Sequence, residues 1–200
     1  MSKTAPGVRY GEVDRETNET KVRVVMDLDG GTRCDVSTGI PFFDHMLHQL
    51  AFHGRLDLGV QCEGDLDVDD HHTIEDVGIA LGKAFAQTLD PAESIQRFAS
   101  GHFAMDEALV LIAIDICGRP TLVNAVEFKR ESIGGLAMEN VNEFLQAFVT
   151  SAKISLHVRK VCGANDHHVC EALFKGLGIC LHDATQKIDR RGVGSTKGKI

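Results

Sequence analysis

Apolar and polar residues change rhythm along this chain in an order that repeats. Alternation runs through Lys21–Leu28 (KVRVVMDL) and resumes in Gly31–Val36, which predicts a hairpin around the Asp-Gly-Gly turn at 29–31. Pro41 then opens a helical pattern, PFFDHMLHQLAFHG, that stops at Gly54. Arg55–Glu63 alternates as a strand. Asp70 suits a helix N-cap, and His71–Leu89 keeps helical periodicity until Pro91. Strand-like runs follow at Phe98–Met105, Ala108–Cys117 and Leu122–Phe128. A helix is predicted over about Met138–Ala152, a strand over Lys153–Val161, and a last helix over His167–Lys187 capped by Asp166. The tail Arg190–Ile200 is basic and glycine-bearing.

Strand, helix, strand and a helix that starts His-His-x-x-Glu therefore occur twice. At ~100° per residue, Val77 and Leu81 occupy the same face of the first such helix as Leu173 and Leu177 do of the second. Upstream, FFDHMLHQLAF aligns with VNEFLQAF, which sets Asp44 opposite Asn142 and His45 opposite Glu143. A shorter loop before the second motif (CGANDHH against CEGDLDVDDHH) absorbs the change in spacing. The pattern implies an internal duplication in an α+β chain. Two α/β halves, each a small mixed sheet with helices on one face, span about 8–92 and 93–188 of a single domain, with a tail at 189–200. Two copies of one helix lying side by side would bring the His-His-x-x-Glu faces together.

Composition narrows the setting. The 200 residues are 43% hydrophobic and 25% charged, as in an ordinary globular protein. No run approaches the ~18 apolar residues of a membrane span, and the first residues lack the apolar segment of a signal peptide. A cytoplasmic protein is expected. A net charge of −8 argues against non-specific nucleic-acid binding. The six cysteines form no CxxC pair and read as reduced, mostly buried thiols. The unusual item is histidine, ten in all, of which six fall in the two HH pairs and in His45 and His48.

In each motif the first His and the Glu stand at i and i+4, ~40° apart around the helix, so one ion can reach both. The second His points ~60° to the far side of the Glu and can reach a different ion. A single HH pair at a helix start is commonly an exposed polar cap. Two in register point to metal. His71, His72, Glu75, His167, His168 and Glu171, with His45 and Glu143 adding one ligand per half, make a dinuclear imidazole–carboxylate site. Such ligands suit Mn²⁺, Fe²⁺ or Zn²⁺. Cys170 falls outside the ligand arc and reads as core filler.

PFFDHMLHQLAFHG, DDHHTIEDVGIALG, DICGRP, NDHHVCEALFKGLG and the ending GSTKG together resemble the imidazoleglycerol-phosphate dehydratase family, from about Arg15 to Lys199. The resemblance implies a manganese lyase of histidine biosynthesis that removes water from D-erythro-imidazole-glycerol phosphate to give imidazole-acetol phosphate. It implies a duplicated fold of the ribosomal protein S5 domain 2-like type and a homo-oligomer of 24 subunits with active sites between subunits. It also implies two Mn²⁺ per active site, which would stabilise an imidazolate by Lewis-acid action. The carried-over ligands are the eight named above. The family commonly has His, in a VEHFF-like motif, where VNEFL here gives Glu143; a carboxylate there can bind Mn²⁺ or turn away, and ligation is the reading adopted. The family's acid/base glutamate falls, in the RxTxET segment, on Glu19. Substrate-binding positions fall on Gln49, His53, Arg97, Arg119, Lys175, Ser195 and Lys197, although the tail before Ser195 is shorter than the family's. Two other classes share these ligands: a dinuclear metallohydrolase acting on a phosphorylated small molecule, and a non-enzymatic metal-binding oligomer. The cationic set Arg97, Arg119, Lys175 and Lys197 speaks against storage, which needs no phosphate pocket.

Overall fold

The computed structural model describes residues 8–89 and 94–188. The first half contains β1 (Tyr10–Glu16), β2 (Thr20–Asp27), β3 (Cys34–Ser37), α1 (Pro41–Gly54), β4 (Asp57–Gly64) and α2 (His71–Thr88). The second contains β5 (Phe98–Met105), β6 (Ala108–Asp115), β7 (Thr121–Ala125), the two-residue strands β8 (Ser132–Ile133) and β9 (Leu136–Ala137), α3 (Asn140–Ala152), β10 (Ser155–Cys162) and α4 (Asp166–Ala184).

The duplication is complete at the level of sheet topology. One sheet has the order β1-β2-β4-β3 and the other β5-β6-β10-β7. In each, a hairpin is extended by an antiparallel third strand, and the fourth strand joins that one in parallel. Even the helix exits match. Arg55 after α1 and Lys153 after α3 both adopt the left-handed conformation, at φ 51° and 56°, and their amides close the last helical turn. The main departure is an insertion. Three residues join β3 to α1, whereas the β8–β9 hairpin stands between β7 and α3.

One expected hairpin is not there. β2 pairs with β1 and β4, while β3 lies on the far side of β4 and runs parallel to it. The Asp-Gly-Gly segment spans that gap instead, its Gly31 amide and the Arg33 amide both donating to Asp57 Oδ1 at 2.8 and 2.9 Å. The true hairpin partner, β1, gives little periodic signal, because Tyr10–Glu16 buries only Gly11 fully and carries few apolar residues.

The helices cover one face of each sheet, α2 on β1 and β2, α4 on β5 and β6. The two HHxxE helices do not pair with each other. α2 packs on α3 and α4 on α1. Glycines permit the close approach at equivalent places. A Cβ at Gly82 would collide with the Phe148 carbonyl of α3, and one at Gly178 with the Leu50 carbonyl of α1. Between the halves lies a buried aromatic seam: Phe43 meets Phe144 edge-on at 5.3 Å, and Phe144 stacks on Phe174 at 5.4 Å. No described helix is long and apolar enough to cross a membrane.

Candidate metal centre

α1 starts at Pro41, and its entry is fixed by Asp44, whose Oδ1 accepts from the Thr38 amide (2.9 Å) and hydroxyl (2.6 Å). His45 follows on the same turn, facing the start of α4. There His167 and Glu171, one turn apart, complete a group whose ligand atoms all lie within 4.8 Å of one another. His45 Nε2 is 3.4 Å and His167 Nε2 3.1 Å from the same Glu171 oxygen. The other oxygen accepts from Lys175 at 2.6 Å. Phe42 walls the site, its ring 5.0 Å from that of His167. Burial pushes the Glu171 carboxyl up, but Lys175, His167 and His45 outweigh it and hold the group below its ordinary range. A nearly buried carboxylate (8% exposed) on which two imidazole Nε2 atoms converge fits a divalent cation with nitrogen and oxygen ligands.

The second helix pair repeats the layout without closing. α2 and α3 run side by side in register: His71 meets Asn140, Gly78 meets Phe144 and Ala147, and Gly82 meets Phe148. That register sets Glu75 and Glu143 at corresponding levels of the two helices. Among the described residues, however, His45–His167–Glu171 is the one group of such donors drawn within 4.8 Å.

His72 faces the β4–α2 loop and the β1–β2 turn, and His168 the β5–β6 turn, rather than a neighbouring helix, which corrects the side-by-side expectation. His72 Nδ1 lies 3.0 Å from Asp65, and its Nε2 lies 4.0 Å from Glu19. His168 Nδ1 lies 2.7 Å from Glu107, and its Nε2 lies 3.7 Å from Asp106. Hydrogen bonding to Asp65 raises the His72 pKa, and bonding to Glu107 raises that of His168. His168 and the amides of Asn165 and Ala164 hold the Glu107 carboxyl at about 2.

A sequence model described as imidazoleglycerol-phosphate dehydratase matches residues 38–181. The imidazoleglycerol-phosphate dehydratase of Acetivibrio thermocellus is 50% identical over 193 residues, 96% of this chain and 99% of that protein. That of Caldicellulosiruptor saccharolyticus is 48% identical over 192 residues, 96% of this chain and 98% of its own length. The chain belongs to the imidazoleglycerol-phosphate dehydratase family. It is an enzyme, a hydro-lyase of histidine biosynthesis. Two solved dehydratase structures superpose on it with TM-scores of 0.81: that from Staphylococcus aureus (30% identical, covering 90% of this chain and 99% of the other) and that from Pyrococcus furiosus (34%, 94% and 100%).

The family's RxTxET segment acquires a physical reading in this fold. Arg15 pairs with the buried Asp76 of α2 at 2.7 Å, and the Thr20 hydroxyl donates to the same carboxylate. The Thr17 hydroxyl accepts from the amides of Glu19 and Thr20 at 3.2 and 3.0 Å, closing the β1–β2 turn. Every other defining side chain of the motif is thus committed to structure, and Glu19 is left half-exposed beside His72.

The remaining family positions divide. Lys175 joins the closed group through Glu171. Gln49 and His53 continue along α1 from His45, and His53 feels that neighbourhood: burial lowers its pKa, Lys175 lowers it further, and Glu171 opposes both. Arg97 and Arg119 lie elsewhere. Phe98 and Ser155 both pair with Asp115, whereas α4 begins beyond Cys162, at the other end of β10. Eight strand residues put roughly 25 Å between those ends. Arg97 makes two bonds to Asp115, at 2.7 and 3.1 Å, and stacks over Phe98; Arg119 is exposed. Ser195 and Lys197 lie outside the described residues.

Sequence reasoning missed the acceptors behind the histidines. Asp65, Glu107 and Asn140 each hold a ring Nδ1. Glu107 could have been found from the repeat, since it stands in the β5–β6 turn as Glu19 stands in the β1–β2 turn. The caps also differ from expectation. Asp70 makes no cap bond, and Asn165, not Asp166, caps α4. The two aspartates instead reach the insertion before α3: Asp70 accepts from the Ala137 amide, and Asp166 from the amides of Lys129 and Arg130, each at 2.7 Å.

Proposed function

We propose that the chain dehydrates D-erythro-imidazole-glycerol phosphate to imidazole-acetol phosphate with two divalent cations, Mn²⁺ first among them, per active site. The observation that carries this reading is the convergence of His45 and His167 on Glu171, repeated in outline by His71, Glu75 and Glu143. One ion would be held by His45, His167 and Glu171, the other by His71, Glu75 and Glu143. His72 and His168 point away from their own helix pair, so each is available to an ion held by another subunit. The distance from the closed group to Arg97 and Arg119 likewise favours sites built between subunits, and the family resemblance gives 24 copies. The repeats would divide at about 8–92 and 93–188, and the protein would work in the cytoplasm.

When bound, the ions supply Lewis-acid stabilisation of negative charge on the substrate's imidazole ring. The chain's residues do the rest. Glu19 takes the proton from carbon and delivers it to the departing hydroxyl. Arg97, Arg119, Lys175 and, from the tail, Ser195 and Lys197 hold and orient the phosphate, a task suited to paired cationic donors. Gln49 and His53 line the substrate channel along α1.

The test is direct. Protein loaded with Mn²⁺ is given imidazole-glycerol phosphate, and ketone formation is followed by absorbance. Ketone without released phosphate is the expected result. Phosphate released without ketone would identify a metallohydrolase, and Mn²⁺ binding with neither product a storage oligomer.

A further inference from the structure

Asp70 and Asn140 are bonded to each other across the two halves, and together they face His71. Asn140 is buried, 5% exposed, at the first position of α3. Its Nδ2 donates to Asp70 Oδ1 at 2.8 Å, while its Oδ1 lies 3.2 Å from His71 Nδ1. The other Asp70 oxygen accepts from the Ala137 amide. Neither residue has a part in the roles proposed above.

The polarity of this chain of bonds is determined. A carboxylate only accepts, so the amide of Asn140 must turn its NH₂ toward Asp70. Its carbonyl oxygen then faces His71, and an oxygen can be satisfied there only by an N–H. His71 must therefore carry its proton on Nδ1. The consequence falls on the opposite side of the ring: in the neutral imidazole, Nε2 is left with a lone pair.

We infer that Asp70 and Asn140 are positioning residues that fix His71 as the Nδ1–H tautomer and so present its Nε2 lone pair to a divalent cation. The inference rests on the proposed assignment of His71 as a ligand. It explains why an aspartate in the position of an N-cap makes no cap bond. It also explains how the open pair is prepared: the ring of His71 is oriented from α3, by the same helix that carries Glu143, before any ion arrives. His72 and His168 are tied back at Nδ1 in the same sense by Asp65 and Glu107. Of these three rings, only that of His71 has an acceptor that is neutral and could be reversed, so its direction must be set by a further group.

That reversibility supplies the test. In Asp70→Asn, one side-chain oxygen can still accept from Ala137, but an NH₂ now faces Asn140. The Asn140 amide turns over to accept from it and offers NH₂ to His71. His71 must then accept at Nδ1 and carry its proton on Nε2, where it blocks the ion. The double variant D70N/N140D restores the original direction: the amide at position 70 donates to the carboxylate at position 140, and that carboxylate accepts from His71. Metal-free protein of each kind is titrated with Mn²⁺, free ion being read from its electron paramagnetic resonance signal. Melting of the metal-free proteins is recorded alongside. Asp70→Asn is expected to weaken one class of site by about 10–100-fold, the usual scale for an outer partner of a ligating histidine, and to leave the other class unchanged. The double variant is expected to recover to within about threefold of the parent, on the same scale. Asn140→Leu, which removes both bonds and leaves Asp70 intact, should show the same selective loss and serves if Asp70→Asn does not fold. Parent-like affinity in both single variants, or a double variant no better than Asp70→Asn, would overturn the inference. His71→Ala distinguishes the two levels: if it keeps both classes of site, the ligand assignment itself has failed.

Discussion

The α1/α4 pair and the α2/α3 pair are copies of one arrangement, yet only the first draws its imidazole and carboxylate groups together. The difference lies in what faces what. At α1/α4 two imidazoles surround one carboxylate, and Lys175 supports it from behind. These groups attract one another without any ion. At α2/α3 the repeat substitutes Glu143 for the position of His45, so one imidazole stands with two carboxylates. Like charges gain nothing by meeting, so under the proposed assignment a cation would be what draws this group together. On that assignment, one residue change in a duplicated frame would separate a site shaped in advance from one shaped by what it binds.

Removal of metal should give the largest effect. Chelation is expected to abolish turnover, and readdition of Mn²⁺ at about 100 times its Kd should raise stability by ~2.7 kcal/mol per independent site, seen as a higher Tm. If the comparison holds, hydrogen exchange at the start of α3 will slow more on Mn²⁺ addition than exchange at the start of α1; equal slowing would break it. Next, Glu19→Gln should lower turnover by about 10²–10⁴-fold, the scale of general acid–base catalysis, with Mn²⁺ stoichiometry unchanged. Loss of metal in parallel would give Glu19 a role in one of the two groups.

Smaller changes separate the pairs further. Gly178→Ala forces α4 from α1, and Gly82→Ala forces α2 from α3, each costing roughly 1–3 kcal/mol of overpacking. Denaturant unfolding should show similar losses for both, while metal titration should show the first weakening the closed group and the second the open one. The gentlest probe is pH. His72 and His168 hold their protons above the ordinary imidazole value, and those protons must leave before either ring binds an ion. Mn²⁺ affinity should therefore decline with acidification, beginning above pH 6.5. For the metal-free fold the sign reverses. The His168 contribution is complete below about pH 6.5 and is lost as pH rises through the raised value; the Glu107 contribution is present above pH 4.5 and is lost only as pH falls toward about 2. In metal-free melts, the difference between the parent and Glu107→Gln should be largest between those limits.

Periodicity in the sequence reads most of this fold correctly. It places α1 and β5 at their observed bounds, and the repeat itself follows from two motifs in register. What fails is pairing. Alternation reports that a segment is a strand but says nothing of its neighbour, so at residues 21–36 adjacency in sequence does not become adjacency in the sheet. Part of the closed group is legible for the same reason as the repeat: His167 and Glu171, one helical turn apart, share a face. Most of the histidines' outer partners are not legible. Glu107 follows from the repeat, but Asp65 and Asn140 touch histidines from a loop and from the other half, and only the folded chain brings them there.

The β8–β9 insertion is fastened by Asp70 from one half and Asp166 from the other, and only the second half possesses it. The two repeats are therefore no longer interchangeable. A chain assembled from two first halves would keep the sheet order and the helix pairs, but both aspartates would face empty space where backbone amides now stand.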